Sequence, residues 1–392
     1  MSSYLIFVVF LTCVFCFNFI NNSETSAYVD QLEQRVIQPG LIHHRFLKHT
    51  KQGPVNINVL EVDLNKNFYV RPALADSKSI WSKSTVLEIT EKNRAIAGIN
   101  ANYFDRAGST IGALAIDKEW IISPVLNRAA FSTDQEQQII FARPRLLGKI
   151  FVENRELKET YSGLLVTSIN QSDYLDPQGI SFYNHWWEKP IKCGLSRSCL
   201  LVNSEGTVEL KIEISNNIEA TNYQEKELWP TMTQYILSCK KFNCLKSFQI
   251  NQKIKINWSS EPDWSEIIHS VGGGPYLLRN GQIILDKESE NFTNKSGISG
   301  LAPRTAIGVT SRKRLIMLTA DGRQKDTVGL SLFQLAKLMQ DLGIKEAINL
   351  DGGGSTTMIL GNQILNKPSN HKRTLRKVST ALLLFQDHRR EF

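Results

Sequence analysis

The chain has 392 residues, 42% of them hydrophobic and 21% charged, with a formal net charge of +8. Such a composition supports a sizeable core and excludes a disordered, collagenous or low-complexity protein. Seven Lys/Arg against two Asp/Glu lie between Asn366 and Phe392, so most of the excess is a solvated basic end. An anionic partner is its alternative reading, and nucleic acid is excluded as a partner.

Residues 1–27 read as a signal peptide. An apolar run from Tyr4 to Ile20 precedes 21-NNSETSA-27, where Thr25 and Ala27 are small enough for a peptidase site. An uncleaved anchor is the alternative, because about 17 residues is near the lower limit for a bilayer span. Either way the rest of the chain is expected to be secreted or extracytoplasmic, with no stable membrane span after signal removal. Four cysteines remain beyond this segment: Cys193, Cys199, Cys239 and Cys244. In an oxidising compartment they predict two disulfides, of which local pairing is the simplest of three connectivities. Their spacings are too long for a usual four-thiolate zinc site.

Three regions follow in chain order. Residues 28–159 alternate short apolar strands with turns, including 55-VNINVLEVDL-64 and 94-RAIAGINANYF-104. Residues 160–264 hold all four mature cysteines and the aromatic cluster 182-FYNHWW-187, and read as an insertion or β-rich subdomain. Residues 265–392 return to strands, glycines and one helix, and are expected to share a catalytic domain with the first region. The helix lies in 331-SLFQLAKLMQDLG-343, with Leu332, Leu335, Ala336, Met339 and Leu342 on one face. Ser331 with Gln334 forms a capping box, and Gly343 ends the last turn. Strands 314-RLIMLTA-320 and 346-EAINL-350 flank the helix. If they are neighbours in one sheet, the unit is a right-handed, parallel β-α-β crossover. The fold class expected is α+β, a mixed β-sheet core with that unit near its C-terminus and a β-rich, cysteine-bearing insertion.

Parallel strands would place Asp321 and Asp351 at one sheet edge, with Arg323 beside them. After Asp351 come Gly352, Gly353 and Gly354, then the hydroxyls of Ser355, Thr356 and Thr357. A structural turn needs one or two glycines; three before three hydroxyls favour a site where backbone N–H groups meet a ligand. Further candidate walls are 98-GINANYFD-105, 271-VGGGPYLLRNGQII-284 and 303-PRTAIGV-309. They offer Asn100 and Asn102 for hydroxyl recognition, Gly273 for close approach, and Arg304 for a bidentate anion contact. Their plain readings are edge turns, a hairpin and a surface ion pair. No phosphate loop, nucleophile elbow or His-Glu-x-x-His motif occurs.

Taken in order, GINANYFD, IGALAID, GGGPYLLRNGQ, PRTAIGV, ADGRQ, GLSLFQLAKLMQDLG and AINLDGGGSTTM resemble the phosphodiester glycosidase family, whose microbial members are often labelled exopolysaccharide biosynthesis proteins. The resemblance spans roughly residues 94–140 and 267–385. It implies hydrolysis of a sugar-1-phosphodiester, an α+β fold with a mixed sheet, and cleft residues Asn100, Asn102, Arg304, Asp321, Asp351, Gly353 and Ser355. On that reading Arg304 and the loop N–H groups of Gly352 to Gly354 neutralise phosphate, while Asp351 or Asp321 acts at the anomeric carbon. The aspartates are also a candidate seat for a divalent cation, and no other cofactor is implied. The rival readings are a non-catalytic glycan- or polyanion-binding protein on the same fold, and an ordinary glycosidase or glycosyl transferase.

Overall fold

The computed structural model describes residues 29–154, 158–171, 179–204, 213–221, 226–240, 244–263, 265–292, 298–369 and 374–387. The expected signal peptide and Lys372, Arg373, Arg389 and Arg390 lie outside them. No helix among the described residues is long and apolar enough to cross a membrane.

The elements that position the site are β1 (Gly53–Asp63), β2 (Phe68–Leu74), α1 (Val86–Lys92), β3 (Ala97–Asn100), β4 (Tyr276–Arg279), β5 (Arg304–Thr310), β6 (Arg314–Ala320), α2 (Leu332–Asp341), β7 (Ile344–Asn349), β8 (Met358–Leu360) and β9 (Thr380–Gln386). One sheet of eight strands contains the order β1-β6-β5-β7-β4. A second, of five strands, contains β8-β3-β9-β2. The two sheets face each other. Leu315 and Met317 of β6 share a core with Ile99, Leu382 and Leu384 of the second sheet. Their neighbours Ile316 and Leu318 point the other way, onto Leu335, Ala336 and Met339 of α2. Helix α1 covers the far face of the second sheet through Val86 and Ile89. The result is four layers: helix, sheet, sheet, helix. It explains why 314-RLIMLTA-320 is continuously apolar, since a strand buried on both faces has no solvent side to mark with polar residues.

Both helices are capped as their sequences dictate. Ser331 and Gln334 form the expected box on α2, and Gly343 follows its end with φ +76°. Helix α1 escaped the sequence reading, although Thr85 and Glu88 form an equivalent box. With only seven residues, its periodic pattern is too short to stand out. Helix α2 approaches its sheet closely at Gly308, where an added Cβ would lie 2.7 Å from Ile344 Cγ2 and 3.0 Å from Met339 Cε. Gly308→Ala is therefore expected to cost about 1–3 kcal/mol by overpacking, measured as a lower urea midpoint. An unchanged midpoint would mean that the helix can shift freely.

The strands on either side of α2 are not neighbours. Strand β5 lies between β6 and β7, antiparallel to both. A tight turn joins β5 to β6 as a hairpin, with Lys313 at φ +58°, so β6 already has β5 as its partner on that side. The chain then returns through α2 to the free side of β5. Strands β6 and β7 still run parallel, one position apart, and end at the same edge.

The described residues hold only two α-helices, so the chain is predominantly β. A closed barrel of seven strands, from Arg145–Asn154 to Lys253–Glu261, overlaps the segment set apart in the sequence. Its cysteines pair locally, Cys193 with Cys199 and Cys239 with Cys244.

Candidate active site

Three strand ends build the centre. Arg304 opens β5 opposite Ala320, the last residue of β6, while Ala306 pairs with Asn349, the last of β7. Asp321 and Asp351 therefore leave the sheet on either side of the Arg304 strand. The residue that follows β3 of the second sheet closes the arrangement, because the Asp351 N–H donates to Ala101 O at 3.1 Å.

Each glycine of the loop after Asp351 has a neighbour that a Cβ would meet. At Gly352 it would lie 2.9 Å from Pro303 O. At Gly353, which has φ +62°, it would lie 3.2 Å from both terminal nitrogens of Arg323. At Gly354 it would lie 3.3 Å from Arg376 Cδ. Two exposed arginines thus lie over a bare loop. Of the three glycine N–H groups, that of Gly352 donates to Asp351 Oδ1 at 2.9 Å and that of Gly353 to Pro303 O at 2.8 Å. Only the Gly354 N–H is left for a ligand, fewer than the three expected.

The two aspartates differ in exposure as residues, although both carboxyls are desolvated. Asp351 is part-exposed, and burial of its carboxyl pushes its pKa up to about 6 against the nearby Ser355 hydroxyl, the Arg376 charge and the Gly352 N–H. Asp321 is 2% exposed and is pushed up to about 7 by burial, opposed by the Lys367 N–H that donates to Oδ1 at 3.0 Å. Close to Asp351 in the chain, three buried oxygens have no hydrogen-bond partner: Asn349 Oδ1, Ser355 Oγ and Thr356 Oγ1. Ser355 lies near the Asp351 carboxylate but outside hydrogen-bonding geometry with it. Orphaned buried polar atoms are costly, and the Ser355 hydroxyl beside the Asp351 carboxylate is one that a polar ligand would satisfy.

Several residues picked from the sequence do other work. Arg304 is 2% exposed and its fork is occupied: Nε donates to Leu330 O at 2.9 Å, and Nη2 to Ile298 O at 2.9 Å and Gly300 O at 2.7 Å. These carbonyls take up Nε and Nη2, so a bidentate anion grip through that pair of nitrogens is not available. Asn100 is fully buried; its Nδ2 donates to Asp351 O at 2.5 Å, and its Oδ1 accepts from Thr305 Oγ1 at 2.8 Å and the Thr357 N–H at 3.0 Å. Asn102 donates to Ala113 O at 3.0 Å and accepts from Thr380 Oγ1 at 3.2 Å. Asn100 thus holds the loop in place, and Asn102 ties the end of β3 to Ala113 and Thr380, rather than offering amides to a sugar. Gly273 is a packing glycine, since a Cβ there would lie 2.6 Å from Asn349 O.

Asn349 and Arg376 were missed in the sequence as site residues. The Tyr103 hydroxyl donates to Gly274 O at 2.9 Å and accepts from Asn349 Nδ2 at 2.7 Å. Burial, helped by the Asp351 charge, holds its phenol well above the usual range. Arg376 lies in the stretch that reads as a solvated basic end, and nothing in the local sequence connects it to Gly354. Among the described residues no group of three or more His, Cys, Asp or Glu is placed to hold a metal ion. A cavity of about 510 Å³ lined by Arg143, Arg145, Tyr276 and Arg279 contains none of the loop residues.

Comparison with known proteins bears on this site. A family profile described as phosphodiester glycosidase matches residues 211–385, a span that includes Arg304, Asp321, Asp351 and Arg376. The chain is 31% identical over 132 residues to mouse N-acetylglucosamine-1-phosphodiester alpha-N-acetylglucosaminidase and 30% identical to the human protein. Each match covers 30% of this chain and 25% of the relative, so the likeness spans only a quarter of those proteins. In fold, a hypothetical protein from Synechocystis superposes with a TM-score of 0.77 at 22% identity, over 92% of this chain and 64% of that one. The zebrafish N-acetylglucosamine-1-phosphodiester alpha-N-acetylglucosaminidase catalytic domain, auto-inhibited by its pro-peptide, gives 0.51 at 17% identity over 92% and 89%. The family match and the curated relatives thus agree with the ordered motifs in likening residues 211–385 of the chain to the phosphodiester glycosidases.

Proposed function

We propose that the chain is an exported hydrolase that cleaves a sugar-1-phosphodiester in a glycan, wall polymer or glycolipid. The observation that carries this reading is the part-exposed Asp351, with the unsatisfied Ser355 hydroxyl beside its carboxylate and two exposed arginines over the glycine loop that follows it. A sugar ring supplies hydroxyls for Asn349, Ser355 and Thr356. The phosphodiester faces Arg323 and Arg376, with the Gly354 N–H beside them, because the Arg304 fork is already committed to carbonyls.

In this scheme Asp351, ionised above about pH 6, acts at the anomeric carbon as nucleophile or base. The bond from that carbon to the phosphate oxygen breaks, and its electron pair leaves with the phosphate. Water supplies the new anomeric hydroxyl, and its remaining proton goes to the medium or the released phosphomonoester. A phosphate is a good leaving group, so a strong general acid is dispensable. That suits Asp321, which is buried and serves to fix the Lys367 segment rather than to touch substrate. Neutralising the developing phosphate charge matters more, and an exposed arginine pair beside a bare loop performs it.

Arg323→Ala and Arg376→Ala are each expected to raise KM about tenfold on a phosphodiester, as loss of a charge-assisted contact does. Initial rates against substrate concentration check this; unchanged KM in both would remove the arginines from the site.

The proposal is tested with the secreted protein on a panel of sugar-1-phosphodiesters, starting from an N-acetylglucosamine α-1-phosphodiester, with and without a chelator. Released sugar supports hydrolysis, and loss of turnover on chelation would bring a divalent cation into the scheme. Binding of panel members without turnover would instead favour the glycan-binding reading.

A further inference from the structure

A row of cations and aromatic rings leads away from the glycine loop. Arg376, packed on Gly354, places its guanidinium carbon 5.0 Å from the centre of the Phe104 ring. Lys83 Nζ lies 5.9 Å from the centre of the same ring. The Lys83 stem runs beside the turn at Gly108, where a Cβ would lie 3.3 Å from Lys83 Cε and would also strike Trp81 O. Trp81 carries Lys189 Nζ at 3.2 Å from its ring centre. Its indole meets Trp187 edge-on at 4.7 Å, and its Nε1–H donates to Trp187 O at 2.5 Å. The row thus runs from the catalytic loop to the 3-10 turn His185–Trp187 in the cysteine-bearing segment.

Two features set this row apart from an ordinary solvated face. Lys83 and Arg376 are exposed and share one half-buried ring, while Lys189 sits on another. No carboxylate among the described residues forms an ion pair with Lys83, Lys189 or Arg376. Asp105 acts on Lys189 and Asp351 on Arg376 without a direct ion pair, and cations held over rings in this way can accept an external anion. Rings between them offer faces on which sugars or polyols rest.

We propose that this row is a binding track for the leaving-group side of the substrate, and that the substrate is a polyanionic glycan carrying a second negative group beyond the scissile phosphodiester. The inference rests on the hydrolase reading above and deepens it. Arg376 meets the scissile phosphate, and Lys83 and Lys189 meet the next charge along the chain. Repeated phosphodiesters supply that charge, and so do uronic acids; the shared chemistry is a polyanionic carbohydrate.

The test uses the full secreted chain carrying Asp351→Asn, so that binding is read without turnover. A fluorescent glycosyl phosphate oligomer and an oligouronate of equal charge are titrated by anisotropy, with and without Lys83→Gln and Lys189→Gln. The expected result is at least tenfold weaker binding in the double variant and a shallower dependence on salt. The phosphate oligomer binding more tightly would assign the track to phosphodiesters, and the uronate to acidic sugars. In parallel, the double variant with Asp351 intact should hydrolyse a small monomeric phosphodiester within twofold of wild type. Equal binding with and without the lysines overturns the track and leaves the hydrolase reading standing. Failure of the monomeric substrate with wild-type protein overturns the hydrolase reading instead.

Discussion

Asp351→Asn is expected to lower kcat on a sugar-1-phosphodiester by about 10³-fold or more at pH 7.5, with KM changed far less. The amide keeps an oxygen for the Gly352 N–H, which donates to Asp351 Oδ1 at 2.9 Å, so the loop geometry should survive. What is lost is the charge and the lone pair that act at the anomeric carbon. The pH profile gives an independent reading of the same group. Because burial pushes Asp351 up to about 6, kcat/KM should fall about tenfold per pH unit below that value. A profile flat from pH 8 to pH 4.5, or a variant with a few per cent of wild-type kcat, would remove Asp351 from the chemistry.

Asp321→Asn should produce the largest effect on stability, and with the opposite sign from most core substitutions. Asp321 is buried and pushed up to about 7, well above an unfolded aspartate. Between about pH 4 and pH 7 the folded state therefore binds more protons than the unfolded state. Its relative stability is fully present at acid pH and is lost as pH rises through about 7. Asparagine retains an acceptor for the Lys367 N–H and escapes that loss. The variant is expected to match wild type near pH 4 and to exceed it at pH 8, by a gap on the order of a few kcal/mol. Urea unfolding at the two pH values measures it. A variant less stable at pH 8 than wild type would mean that the Asp321 charge is stabilised where it lies.

The parts of this molecule legible in sequence were those encoded by local patterns. The period of Leu332, Leu335, Ala336 and Met339, with Ser331 and Gln334 at its head, specifies α2 without reference to anything distant. The apolar run of β6 and the acid-glycine start of the loop likewise point to a sheet edge. What sequence could not carry was the order of strands. That β5 separates β6 from β7 depends on a hairpin turn and on which side of β5 the chain returns. The same limit governs the site. Asn100 and Arg304 look like recognition groups by type, but their donors are taken by carbonyls of residues up to 251 positions away. Arg376 looks like part of a basic tail and becomes a neighbour of Gly354 only in space. The triple glycine itself was readable as a demand for close approach. Pro303, Arg323 and Arg376, which make that demand, were not.

The central claim is that the bond broken joins the anomeric carbon to the phosphate oxygen, by carboxylate chemistry at Asp351. Hydrolysis of a sugar-1-phosphodiester in ¹⁸O-labelled water, followed by mass spectrometry of the released phosphomonoester, tests it most directly. A phosphomonoester free of label, with turnover abolished in Asp351→Asn, is the predicted result. Label in the phosphate would place the attack at phosphorus and contradict it.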